Sequence, residues 1–327
     1  MFKRTKDFRP QLALLVDEPP AGGDWIHELK LDGYRVAIFK SARSVSLISR
    51  RGQDYSKTYP EIAEAAKKLR AKQAVIDGEA VALDDRGVSS FQALQQLGTN
   101  RRRLVYFAFD LLALDGEDLA TLPLVERKAR LRKLIGRARG VIRFTDHLET
   151  SGEAFLRRAC AGGAEGIVSK RRDGRYRAGA RHSDWQKAKC VRRQELVVGG
   201  FTEPAGARVG VGALLVGYYE GERLAFAGKV GTGHGWTEDF GRALRKRLDR
   251  IEAKKSPFDP APRGALVRNA HWVRPSLVAE VEFTEWTSDG RIRHPSLQGF
   301  RKDKRPRDVV RERAVRPASA RGKSARA

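Results

Sequence analysis

Cysteine is nearly absent: Cys160 and Cys190 are the only two in 327 residues. Two cannot build a disulfide framework or a cysteine zinc site, and so few fit a protein of the reducing cytoplasm. No apolar run reaches the length needed to cross a membrane. The first ten residues are charged and lack an apolar centre, so no secretory leader is expected. Acids are in deficit as well: 40 Asp and Glu face 65 Lys and Arg, a net charge of +25. That imbalance points to a polyanionic partner, nucleic acid first, with a general basic drift of composition as the bland alternative. The six histidines are scattered, and neither a metal site nor a proton relay is assigned to them.

Hydrophobic residues make up 41% of the chain, enough for two domains each with its own core. Strand-like and helix-like segments alternate through the first two-thirds. Trp25 to Phe39 reads as extended chain, with Ser44 to Ile48 as its hairpin partner. Helical spacing runs over Tyr59 to Arg70, Ser90 to Leu97, Leu124 to Ile135 and Glu153 to Ala161. Gln73 to Leu83 reads as a strand pair, Leu104 to Leu112 as a buried strand, and Glu165 to Arg171 as another strand. Beyond Glu195 come glycine-separated β segments at Leu196 to Phe201, Gly212 to Tyr219, Leu224 to Val230 and Leu277 to Thr284. One helix, Thr237 to Ile251, lies among them. This order suits a small barrel of about five strands with an inserted helix, a shape that often binds nucleic acid. The expected division is residues 1–193, then 194–313, then a basic tail over 314–327 that is either disordered and phosphate-binding or a solvated tail without a role.

The stretch Glu28-Leu-Lys30-Leu-Asp32-Gly33-Tyr-Arg35 sets a lysine between two acids, near a glycine and an arginine. An ordinary lysine titrates near ~10.4, so few are neutral at physiological pH. Neighbouring cations or removal from water would lower that value and free an amine able to attack a phosphate. Alone, the string could be a strand entering a polar turn. It is followed in order by Ser49-Arg50-Arg51-Gly52, Asp77-Gly78-Glu79, Tyr106-Phe-Ala-Phe109-Asp110, Glu165-Gly-Ile-Val-Ser-Lys170, Trp185-Gln-Lys187-Ala-Lys189 and Arg301-Lys-Asp303-Lys304. The glycine clusters at Gly210 to Gly212 and Gly231 to Gly235 lack the strand–helix context and the lysine of a P-loop.

Taken together, the seven motifs resemble the collinear set of ATP-dependent DNA ligases, within the covalent nucleotidyltransferases, and most nearly the small bacterial type and the ligase module of ligase D. The resemblance runs from about Leu12 to Asp308. It implies an α+β chain: an adenylation (nucleotidyltransferase) domain of antiparallel sheets with flanking helices, followed by an OB-fold β-barrel. The reaction implied has lysine attack the α-phosphate of ATP, passage of AMP to a DNA 5′-phosphate, and sealing of the nick by a 3′-hydroxyl. Lys30 would be the nucleophile. Glu28, with Leu29 beside it, would read the adenine amino group. Phe109 would stack on adenine, a plain core phenylalanine being the alternative. Glu165 would help hold magnesium or manganese together with Glu79, which would also lie by the ribose, and Asp32 and Asp77 would order these groups. Arg35 and Arg50 would touch the 5′-phosphate and the ribose. Lys170, Lys187 and Lys189 would grip the α-phosphate and, as cations near Lys30, depress its pKa. Trp185 would pack. Arg301, Asp303 and Lys304 would orient the β,γ-phosphates in the first step only, which calls for a hinge near Arg192 to Glu195.

The resemblance further implies nicked or broken duplex DNA as substrate, other repair proteins as partners, a monomer, and a bacterial cytoplasm near the nucleoid. The stretch before Trp25 is too short for the large DNA-binding domain of bigger ligases. Two other readings stay open: an RNA ligase or capping-type enzyme, and a non-catalytic OB-type DNA-binding protein. Against capping, Leu31 stands where capping enzymes usually carry threonine.

Overall fold

The structure, a computed structural model, describes residues 8–95, 97, 101–136, 140–204, 210–231 and 237–314. The expected tail, from residue 315 on, and most of the glycine turn after Gly231 lie outside the described residues. Two compact units emerge, one drawn from Met1–Ser90, Thr99–Cys190 and Arg313–Ala327, the other from Phe91–Gly98 and Val191–Glu312.

The first unit runs β1 (Leu12–Leu15), β2 (Trp25–Leu29), β3 (Tyr34–Lys40), β4 (Val45–Ser49), α1 (Pro60–Lys67) and β5 (Ala74–Ala82). The next helix, α2 (Phe91–Gln95), belongs to the second unit. Then come β6 (Leu104–Leu114), β7 (Glu117–Asp118), α3 (Leu124–Ile135), β8 (Ile142–Phe144), α4 (Gly152–Ala161), β9 (Gly166–Arg171) and β10 (Arg181–Lys189). Helix ends follow local chemistry. Pro60 opens α1, where its missing N–H costs nothing, and the Ser151 side chain accepts from Ala154 N to cap α4. Two sheets form, in the orders β1-β10-β9-β2 and β4-β3-β5-β6-β7. The pairing is antiparallel except for β1 with β10 and β8 with β6, which are parallel.

Three sequence expectations change here. The extended run from Trp25 divides into β2 and β3, which join different sheets. The crossing falls at Lys30 to Gly33, and a Cβ on Gly33 would meet Ala80 O at 2.2 Å. The strand pair expected over Gln73 to Leu83 is the single strand β5. Asp77-Gly78 looks like a turn but stays extended because Tyr106 crosses Gly78, where a Cβ would lie 2.4 Å from its ring. The Tyr106 hydroxyl donates to Val36 O or Ile76 O, at 2.8 and 3.0 Å. Lastly, Cys160 and Cys190 are joined by a disulfide, not left as thiols. The packing of α4 beside β9 brings the end of that helix to the end of β10, with Cα atoms 5.2 Å apart.

The second unit holds α2, β11 (Arg192–Thr202), β12 (Ala213–Glu220), β13 (Arg223–Gly231), α5 (Glu238–Asp249), β14 (Glu252–Ala253), β15 (Ala270–Phe283), β16 (Glu285–Trp286), β17 (Ile292–Arg293) and β18 (Ser296–Arg301). The order β11-β12-β13-β18-β15 closes because β15 also pairs with β11, giving the five-stranded barrel. Leu196, Val198, Leu214, Val216, Val230 and Val281 are among its buried residues. The long β15 carries Pro275 where the register with β11 slips, between the pairs Val198–Leu277 and Gly200–Trp272. Helix α5 starts at Thr237, whose hydroxyl accepts from Phe240 N, with Glu238 and Asp239 in the first turn. Arg192 to Glu195, expected to hinge, are paired residue by residue with Glu280 to Phe283.

Candidate active site

Strand register assembles the site in the first unit. Glu28, Val168 and Lys187 lie opposite one another on β2, β9 and β10, and Ile26, Lys170 and Trp185 form the adjoining row. Cross-strand partners and residues two apart share a face, so Glu28, Lys170, Trp185, Lys187 and Lys189 all project from one side of this sheet. Lys30 follows at the end of β2, its N–H bonded to Gly166 O at 2.9 Å.

The Lys30 ammonium meets Glu165 Oε2 at 2.5 Å, with the lysine side chain 20% exposed and the glutamate 4%. Burial acts to lower the Lys30 pKa, but Glu165, Asp32 and Glu79 outweigh it and hold the amine protonated above the ordinary lysine range. The shift is opposite in sign to the depression that the sequence reading expected from nearby cations. Asp32 is buried, its N–H bonded to Ser89 Oγ at 3.1 Å. Among the described residues no group of three His, Cys, Asp or Glu forms a metal cage. Magnesium commonly takes only one or two carboxylates and completes its shell with water and substrate phosphates. The carboxylates acting on the Lys30 ammonium are hard donors and fit such a cation.

Glu28 is 2% exposed and carries two cations: Lys128 Nζ on Oε1 and Lys170 Nζ on Oε2, each at 2.6 Å. Burial alone would raise its carboxyl pKa; the two ammoniums outweigh burial and hold it below the usual carboxylate range. Lys170 lies 4.2 Å from the ring centres of both Phe109 and Trp185. Burial, and then Lys128, bring its pKa down to about 8 despite Glu28. Phe109 is buried with its ring edge-on to Trp185 at 6.0 Å.

On the other sheet Arg35 stands opposite Glu79. Its guanidinium grips Asp77 twice, at 3.0 and 2.6 Å, and donates to Gln11 O at 2.8 Å. Tyr176 OH donates to the same carboxylate at 2.7 Å. Leu29 is exposed, and Arg50 sits half-buried just after β4. Within the second unit, Arg301 is forked onto Asp303 at 2.8 and 2.7 Å and reaches Glu280 at 3.1 Å, while Lys304 pairs with Glu195 at 3.1 Å.

Sequence reasoning passed over Arg127, Lys128 and Tyr176. The signal was present in α3. Leu124, Leu131 and Ile135 define its inner face, and Arg127 and Lys128 fall on that same face. Basic residues on a buried stripe demand acids: Arg127 takes Asp110 at 2.7 and 2.8 Å with both side chains fully buried, and Lys128 takes Glu28.

Comparison with known proteins gives the family. Residues 10–189 match the family described as ATP dependent DNA ligase domain, and residues 207–304 match the ATP dependent DNA ligase C terminal region. The chain is 40% identical over 319 residues to the multifunctional non-homologous end joining protein LigD of Pseudomonas aeruginosa, covering 96% of this chain and 38% of that protein. It thus spans less than two-fifths of that relative's length. A probable DNA ligase of Dictyoglomus thermophilum is 32% identical, over 86% of this chain and 54% of the relative. Among solved structures, mycobacterial DNA ligase D complexed with ATP and MES matches with a TM-score of 0.70 at 37% identity, over 94% of this chain and 99% of that one.

Proposed function

The chain belongs to the ATP-dependent DNA ligase family, and from that premise we propose that it seals breaks between a 3′-hydroxyl and a 5′-phosphate in duplex DNA through adenylate carried on Lys30. The observation that supports this best is the single sheet face bearing Glu28, Lys170, Lys187 and Lys189, with Lys30 at its edge against Glu165.

In the first step the Lys30 amine attacks the α-phosphorus of ATP, a P–N bond forms, and the bond to the β-phosphate oxygen breaks to release pyrophosphate. Before attack the ammonium must give up a proton, and Glu165 is the acceptor in contact. Arriving phosphates engage Lys187 and Lys189, whose charges offset the negative charge brought close to Lys30. Glu165 and Glu79 are the residues that would hold magnesium or manganese, which when bound neutralises phosphate charge. Glu28 reads the adenine amine as an acceptor, and Phe109 offers a ring to the base. Arg35 and Arg50 serve the 5′-phosphate and ribose, and Asp32 and Asp77 order their neighbours. Arg301 and Lys304 serve the leaving pyrophosphate. AMP then moves to the DNA 5′-phosphate, and the 3′-hydroxyl displaces it as the phosphodiester forms.

The DNA substrates proposed are nicks and, in line with the end-joining relatives, broken duplex ends met together with repair partners. The protein acts as a monomer in the cell interior. A nicked duplex carrying a labelled 5′-phosphate tests the reading. A longer sealed strand should appear only with ATP, a divalent cation and the 5′-phosphate present. Strand joining without nucleotide, or none under any of these conditions, contradicts it.

A further inference from the structure

Lys128 enters the site from α3, a helix that carries none of the motif residues. Its side chain is 1% exposed, it bonds Glu28 Oε1 at 2.6 Å and Thr145 O at 3.0 Å, and it lies 4.6 Å from the Phe144 ring centre. That is a saturated, fixed environment. Lys170 holds the other oxygen of the same carboxylate, but lies against the faces of Phe109 and Trp185, on β9 of the sheet that carries Lys187 and Lys189. The two cations on Glu28 therefore differ: one is anchored, and the other stands over the aromatic ring proposed for the base. Two buried polar atoms nearby on the same chain segment, Thr145 Oγ1 and His147 Nδ1, have no hydrogen-bond partner among the described residues.

We propose that Lys128 is a positioning residue for base selection: it stays on Glu28 Oε1 while the amino group of the incoming base replaces Lys170 on Oε2. This deepens the reading of Glu28 as the adenine-reading acid and rests on it. The physics is one of charge. Once Lys170 leaves and a base covers the pocket, a buried carboxylate with no cation would take up a proton. A protonated Glu28 could donate to the keto oxygen of guanine, and the preference for adenine would fade. Lys128 keeps the acid ionised, so that Oε2 can only accept. Among the described residues the titratable and charged groups around Glu28 and its two lysines include His147, from the segment after β8, and Asp110, on β6, which acts on Lys170. They also include Arg35, on β3, which lies 5.0 and 5.3 Å from the Phe109 and Trp185 ring centres that Lys170 also meets, and Arg132, on α3, over the same Phe144 ring as Lys128. Burial and then Lys128 lower the His147 pKa, while Glu28 and Glu149 act to raise it.

The test compares kcat/KM for self-adenylation with ATP and with GTP between about pH 6 and 8, in the wild type and in Lys128→Met, Lys128→Arg and Glu28→Ala. The wild-type preference should be flat with pH. Lys128→Met should lose roughly tenfold or more of its ATP preference, most at the acid end, and Lys128→Arg should restore it. A Lys128→Met enzyme with unchanged preference and a flat profile overturns the proposal. If Glu28→Ala keeps the preference, the reading of Glu28 itself fails, which is a separate result. Should the methionine variant not fold, the Glu28 carboxyl can be followed by carbon NMR in the wild-type lysyl-AMP form. It should remain ionised down to about pH 5, whereas proton uptake above about pH 6 contradicts the proposal.

Discussion

The Lys30 amine, proposed as the nucleophile, is kept protonated by Glu165, Asp32 and Glu79 against the opposing pull of burial, and a protonated amine cannot attack. A raised lysine pKa means that the neutral, reactive fraction grows with pH across the whole neutral range. The rate of adenylate formation, measured in single turnovers at saturating ATP, should therefore climb from acid to alkaline pH without an early plateau. A rate independent of pH between about 6 and 8 would show that the proton has already gone. Arg127 and Asp110 make a second residue-scale case, a fully buried bidentate pair. Arg127→Met leaves Asp110 buried without its cation and should lower unfolding stability by about 3–5 kcal/mol, as read by chemical denaturation. Strand register brings Glu28, Lys170, Lys187 and Lys189 to one sheet face, and the motif acids and lysines were picked out in sequence by their spacing. Lys128 was not, because its meaning depends on a helix packing against a strand 100 residues away. The inward position of Arg127 and Lys128 on α3 was readable; the identity of their acids was not.

Between elements, two links stand out. The Cys160–Cys190 disulfide ties the end of α4 to the end of β10, next to Lys189, and Cys190 N bonds Glu165 O at 2.9 Å. Closing a loop with a sequence separation of 30 residues limits the unfolded chain by up to about 3–4 kcal/mol. Cys160→Ser should lower the melting temperature of the oxidised protein and leave the reduced protein nearly unchanged. Equal losses under both conditions would assign the effect to packing. Helix α2 provides the other link, within the second unit. Gln95 clasps the β18 backbone, donating to Phe300 O at 2.6 Å and accepting from Phe300 N at 3.3 Å, and the Arg301 guanidinium lies 4.5 Å from the Phe91 ring centre. A Cβ on Gly299 would strike the amide end of Gln95 at 2.4 Å, so a side chain there would displace the Gln95 clasp. The helices and four of the barrel strands were read from the sequence, α3 with the limits it has, but the fifth barrel strand, β18, was not. The placement of α2 did not follow, since five residues carry little pattern and the contact that seats them comes from 205 positions away. The strand pair read over Gln73 to Leu83 failed for a similar reason: Tyr106, distant in sequence, crosses Gly78 within the single strand β5.

At the scale of the whole molecule the governing quantity is a net charge of +25. A grip made mainly on phosphates releases counterions, so affinity for nicked duplex should fall steeply and linearly on logarithmic axes as salt rises. A flat salt response would contradict a phosphate-dominated interface. The role proposed for Arg301 and Lys304, toward the leaving pyrophosphate, predicts that the first step separates from the later ones. Arg301→Ala should lose self-adenylation by at least roughly tenfold while still sealing DNA that already carries a 5′-adenylate. All of this depends on one covalent bond. The most direct measurement is the intact mass of the protein after incubation with ATP and magnesium, followed by peptide mapping. The account predicts a gain of one AMP, located on the Lys30 side chain and absent in Lys30→Ala; a protein that gains no adenylate, or carries it elsewhere, contradicts it.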